Sequence, residues 1–164
     1  MSMTNERITI YEYKDKYWII EESCQKWPDK EGPTEKVALA GSLNLDCSSK
    51  DMGELSLSAL QSFNSKKPSF SPWELKELRK QICSWVGARA WPSFYKNSRY
   101  VWVVRDSSEN YVKVIPVDNC VVNPYESPVA NFTTKIEGDV TSEILGKHIL
   151  DAFGHATSHP ERNT

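Results

Sequence analysis

Arg99-Tyr100-Val101-Trp102-Val103-Val104-Arg105 and Tyr111-Val112-Lys113-Val114-Ile115-Pro116-Val117 are two runs dense in β-branched and aromatic residues. Their length and composition predict two strands, joined by the polar loop Asp106 to Asn110. Apolar residues on both faces of each run predict central strands covered on two sides. Pro116 limits pairing at the far end of the second run. Immediately upstream, Ser71-Pro72-Trp73-Glu74 reads as a helix start. Pro72 suits the first helical position, and Glu74, three after Ser71, completes a capping box. Leu75, Leu78, Ile82, Trp85 and Val86 then recur at helical spacing, with Lys76, Glu77, Arg79 and Lys80 covering much of the other side. Gly87 is the expected stop. The Trp-Pro stretch Arg89 to Lys96 connects this helix to the first strand.

Working outward, Arg7 to Tyr13 alternates apolar and polar, Lys14-Asp15-Lys16 is a polar turn, and Tyr17-Trp18-Ile19-Ile20 continues in β-rich composition. This predicts an N-terminal hairpin. Cys24 to Thr34 is rich in breakers and is expected to be a loop. Lys36 to Ala40 is a candidate short strand ended by Gly41, with Leu43 and Leu45 extending the pairing after a bend. Gly53 to Ser62 has a weak helical pattern, and Cys120-Val121-Val122 is a candidate short strand. Asp139 to Phe153 is a second good helix, started at Thr141 and stopped by Gly154. The expected fold class is α+β: a mostly antiparallel β-sheet with two main helices packed on it. One domain over residues 1–156 and a flexible tail over 157–164 are expected.

Composition is that of a soluble globular chain, 39% hydrophobic and 26% charged, so a sizeable core is expected. Six tryptophans are many for 164 residues, and most are expected in the core. No apolar leader or membrane-spanning run is visible, and a cytoplasmic location is expected. Cys24, Cys47, Cys83 and Cys120 form no Cys-x-x-Cys pair and are expected to be free thiols.

No catalytic set stands out. His148, His155 and His159 have spacings compatible with one helical face, but Gly154 interrupts that helix and Pro160 would end any continuation of it. No metal or cofactor is therefore expected. The cysteines carry no nucleophile signature, and the isolated glycines form no phosphate loop. Adjacent Glu21 and Glu22 on a strand would point to opposite faces, so they are not an acid/base pair. The chain is expected to bind rather than to turn over.

Net charge is −2, unevenly spread: residues 1–60 carry −4, residues 61–117 carry +6 and residues 118–164 carry −4. The basic middle raises a nucleic-acid-binding alternative. In it Lys76, Arg79, Lys80, Arg89, Lys96, Arg99 and Arg105 track phosphates, while Tyr95, Tyr100 and Trp102 stack bases. A pI near 5.9 weighs against it.

The Ser71–Gly87 helix, the Trp91-Pro92-Ser93-Phe94-Tyr95-Lys96 segment, the two strands and the late helix with Leu145-Gly146-Lys147 together resemble bacterial contact-dependent growth inhibition (CDI) immunity proteins, over roughly residues 50–153. The resemblance implies a non-enzymatic cytoplasmic protein that neutralises one cognate toxin C-terminal domain, commonly a nuclease. It brings no membrane and no direct nucleic-acid partner, and it carries over no catalytic residue. Because nuclease clefts are basic, an acidic surface would speed association. The acidic first third supplies the candidates: Glu21, Glu22, Asp29, Glu31, Glu35, Asp46, Asp51 and Glu54, with Trp27 as an aromatic anchor.

Overall fold

The computed structural model describes residues 5–26, 33–62, 69–70, 75–106, 110–118, 127–128 and 132–157. Strands β1 (Asn5–Tyr13) and β2 (Lys16–Lys26) form the expected hairpin. Its two-residue loop holds Lys14 and Asp15 at φ 49° and 61°. Two left-handed residues give a hairpin turn whose twist matches that of the flanking strands. β3 (Pro33–Asn44) pairs with β2 from Lys16↔Asn44 to Lys26↔Pro33. Within the expected loop at Cys24–Thr34, residues 24–26 and 33–34 are strand, and residues 27–32 lie outside the described set. Gly41 does not end β3. The register shifts between Ile19↔Gly41 and Ile20↔Leu39, so Ala40 is the extra residue of a bulge that interrupts the alternation.

Helix α1 (Ser49–Ser62) comes next, then the two-residue β4 (Ser69–Phe70), α2 (Leu75–Val86), α3 (Trp91–Asn97), β5 (Arg99–Asp106) and β6 (Tyr111–Asp118). The two-residue β7 (Ser127–Pro128), β8 (Thr134–Glu137) and α4 (Ser142–Phe153) complete the order. The strands run β4-β3-β2-β1-β5-β6-β7, with β8 also on β6, and every described pair is antiparallel. The class is α+β, as expected. Among the described residues the sheet carries four helices, of which α2 and α4 are the two expected main ones. The capping box at Ser71–Glu74 and the candidate strand at Cys120–Val122 lie outside the described residues.

Alternation along the strands sorts side chains to two faces. Ile8, Ile10, Tyr17, Ile19, Val101, Val103, Val112 and Val114 meet α1 and α4 through Met52, Leu60, Leu145, Ile149 and Phe153. Tyr11, Tyr13, Ile20 and Tyr100 meet α2 and α3 through Leu78, Ile82, Val86 and Phe94. β1 and β5, adjacent at the centre of the sheet, contribute to both layers; for β5 this is what its double-sided apolarity predicts.

On the first face α1 and α4 approach backbone to backbone. A Cβ on Gly53 would lie 1.6 Å from the Ser142 carbonyl oxygen, and one on Gly146 would lie 1.6 Å from that of Ser49. Gly53 is therefore an interior contact rather than the start of α1. The start is set by Ser48, whose hydroxyl accepts from the Asp51 amide at 3.0 Å. α4 starts at Thr141, whose hydroxyl accepts from Ile144 N at 3.3 Å.

On the second face α2 ends as expected at Gly87, at φ 71°, and the Ala88 amide returns to the Cys83 carbonyl at 2.9 Å. α3 is a helix where the sequence suggested only a connector. Pro92 sits in its first turn, where no intrahelical N–H bond is required. Phe94, fully buried, anchors it with ring centroids 5.0 Å from Tyr11, 5.0 Å from Tyr13 and 5.5 Å from Trp91.

Two cross-strand ion pairs clamp the β1/β5 ladder. Glu6 lies opposite Arg105 and Glu12 opposite Arg99, with contacts of 2.5 and 2.6 Å. Each arginine also donates to a helix C-terminus on the same face. Arg105 reaches the Leu60 carbonyl at 3.4 Å and Arg99 the Phe153 carbonyl at 3.1 Å. Neither α1 nor α4 has a basic residue in its last turn, so the sheet supplies the cation that complements each helix dipole.

Candidate partner-binding surfaces

Asp46, Asp51 and Glu54 come together where β3 leads into α1, and all three are exposed. Asp46 lies just past the end of β3, Asp51 in the first turn of α1, and Glu54 one turn further on. Asp51 and Asp46 both act on Cys47. Its thiol is held above its ordinary pKa, first by burial and then by these two carboxylates. Glu54 shares its charge with Lys50 at 3.9 Å in an exposed pair of little energetic weight.

The other acidic candidates are placed differently. Glu21 is 4% exposed, on the α1/α4 side of β2, and presents no carboxylate to solvent. Glu22 and Glu35 occupy ladder positions opposite Val37 and Cys24. Trp27, Asp29 and Glu31 lie outside the described residues.

The basic middle of the chain divides in two. Arg99 and Arg105 are engaged in the sheet clamps, and Tyr100 is buried. Trp102 has the Arg7 guanidinium 5.5 Å from its ring centre. Arg79, Lys80 and Arg89 instead line a cavity of about 840 Å³ where α2 meets α3, together with Cys83, Trp91 and Pro92. Burial pushes the Cys83 thiol pKa up and keeps it neutral. Sequence reading missed this cavity. Its only linear signal was a basic helix followed within a turn or two by Trp-Pro.

A second, smaller hollow of about 250 Å³ includes His148, Asp151 and His155, with the His155 ring stacked on Phe132 at 3.6 Å. Among the described residues no group of three or more His, Cys, Asp or Glu side chains is arranged to hold a metal ion. Cys47 and Cys83 are free thiols. No described helix is long and apolar enough to cross a membrane.

No protein-family model and no curated protein matches the chain. Solved structures do match its fold. One is a protein of unknown function from Neisseria meningitidis: TM-score 0.64, 14% identity, 93% of this chain and 96% of that one. Another is a chain of the CdiA-CT/CdiI toxin and immunity complex from Yersinia pseudotuberculosis. It has a TM-score of 0.61 and 11% identity, over 96% of this chain and 100% of that one. The chain thus shares its overall fold with both structures.

Proposed function

We propose that this chain is an immunity protein. It binds a cognate CDI toxin domain, a nuclease, in the cytoplasm and neutralises it by covering the active site or substrate-binding surface. No cofactor or turnover is involved. The observation that carries this is the end-to-end likeness in fold to a chain of a toxin and immunity complex. The resemblance of residues 50–153 to immunity proteins selects the inhibitor over the toxin. Within this role Asp46, Asp51 and Glu54 form an acidic surface suited to the basic cleft of a nuclease. Strand positions Glu22 and Glu35 on β2 and β3 belong to the proposed contact set, as do Trp27, Asp29 and Glu31, which lie outside the described residues.

The test is coexpression with the toxin domain encoded immediately upstream. Toxin alone should arrest growth and degrade nucleic acid, and one equivalent of this chain should restore growth and stop the degradation. Arrest by this chain alone, or no protection, would refute the proposal. Asp46→Lys with Asp51→Lys should slow association several-fold at low salt, since like-signed patches repel. An unchanged on-rate would remove that surface from the site.

A further inference from the structure

We infer that the cavity where α2 meets α3 is a docking groove for an acidic segment of a protein partner. The toxin domain is that partner, so its identity rests on the role proposed above. Charge complementarity carries the argument. Arg79, Lys80 and Arg89 line the cavity, and no carboxylate lies among its described lining residues. Among the described residues only Lys80 of the three is in an ion pair, with Glu77 at 3.3 Å and both side chains exposed. Arg89 is exposed and has no ion pair among the described residues. The other lining residues are uncharged, Cys83, Trp91 and Pro92 among them. Three cations beside apolar lining residues fit a segment that alternates carboxylates with aliphatic or aromatic side chains. The volume, about 840 Å³, is within the range of ligand-holding clefts.

The same residues disfavour nucleic acid. The Arg79 guanidinium already sits 5.2 Å from the Trp91 ring centre, and Tyr95 stacks on that indole at 6.0 Å. Base stacking on Trp91 would have to displace one of these two contacts. Arg99 and Arg105, which would have extended a phosphate track, are held by Glu12 and Glu6.

The groove also lies at the right end of the molecule. The Gly87 carbonyl accepts from Lys14 of the β1–β2 turn at 3.2 Å. On the other side of that turn, Lys16 pairs with Asn44, two residues before Asp46. The basic groove and the acidic stretch therefore flank one end of the sheet, and a partner with segments of both signs would engage both.

The experiment compares wild type with Arg79→Glu/Arg89→Glu, both exposed positions, after circular dichroism confirms folding. Two probes are used: the upstream-encoded toxin domain, and a fluorescein-labelled octapeptide alternating glutamate and leucine. The double variant should weaken toxin binding at least tenfold and abolish peptide binding. Toxin binding within twofold of wild type would overturn the groove while leaving the immunity role intact. Peptide binding that depends on Arg79 and Arg89, with no toxin binding by wild type, would uphold the groove and refute the immunity role. Failure of wild type to bind either probe would overturn both. Binding of a labelled RNA 20-mer at low salt, lost in the double variant, would also overturn the acidic-segment assignment.

Discussion

On one face of the sheet α1 and α4 touch through bare backbone at Gly53 and Gly146. On the other, α2 and α3 rest on a layer of aromatic rings and leave a cavity. The first face is closed by atoms that cannot move independently of the helices, and the sheet arginines pin the ends of those helices. The second is closed by side chains. Trp18, Trp85, Trp91 and Trp102 are all only half-buried against its core. Faces packed by side chains tolerate volume-conserving change, whereas backbone contacts do not. The α2/α3 face is therefore where this architecture can vary its surface without losing its fold, and it is the face with room for a partner.

The contrast can be broken by substitution. Phe94→Ala should have the largest effect, about 4 kcal/mol of lost stability in chemical denaturation. It empties the centre of the aromatic layer and releases α3, whose only buried residue it is. Gly146→Ala should cost about 3 kcal/mol, because the new methyl meets a carbonyl oxygen and a backbone nitrogen rather than a side chain that can turn away. A cost below about 1 kcal/mol would mean that the two helices separate easily, and the distinction between the faces would fail.

The clamps sharpen the comparison within the first face. Arg105→Leu removes the arginine from Glu6, whose side chain is 7% exposed, and should cost about 2 kcal/mol. Arg99→Leu leaves Glu12, 20% exposed and better solvated, and should cost about half as much. Equal losses in urea melts would show that burial does not set the order.

The smallest effect should be a gain. Thr9 faces the aromatic side, and its buried hydroxyl has no hydrogen-bond partner. Thr9→Val should stabilise by about 1 kcal/mol, and a loss would indicate that the hydroxyl is satisfied in solution.

The legible parts of the chain are those where one local period settles the matter. Tyr100 to Val104, Val112 to Val117, the Arg7–Glu21 hairpin and the helix ending at Phe153 all announce themselves by alternation or helical spacing. The helix beginning at Trp91 does not, because Pro92 reads as a breaker until its first-turn position is known. β3 reads short because of the bulge at Ala40. Gly53 looks like a boundary because its reason, the approach of Ser142, lies far along the chain. Arg99 and Arg105 look available to phosphate because their partners depend on register, which no single window contains. The same logic divides the surfaces. Asp46, Asp51 and Glu54 are neighbours in sequence, and their grouping is visible there. The grouping of Arg79, Arg89 and Trp91 depends on the turn at Gly87 and is not.

Hydrogen–deuterium exchange of this chain, alone and with the upstream-encoded toxin domain, tests the difference between the faces most directly. Exchange should slow from Arg79 to Phe94 and from Asn44 to Glu54, with little change along α4. A complex that protects α4 and leaves the Arg79–Phe94 stretch unchanged, or no complex at all, would contradict it.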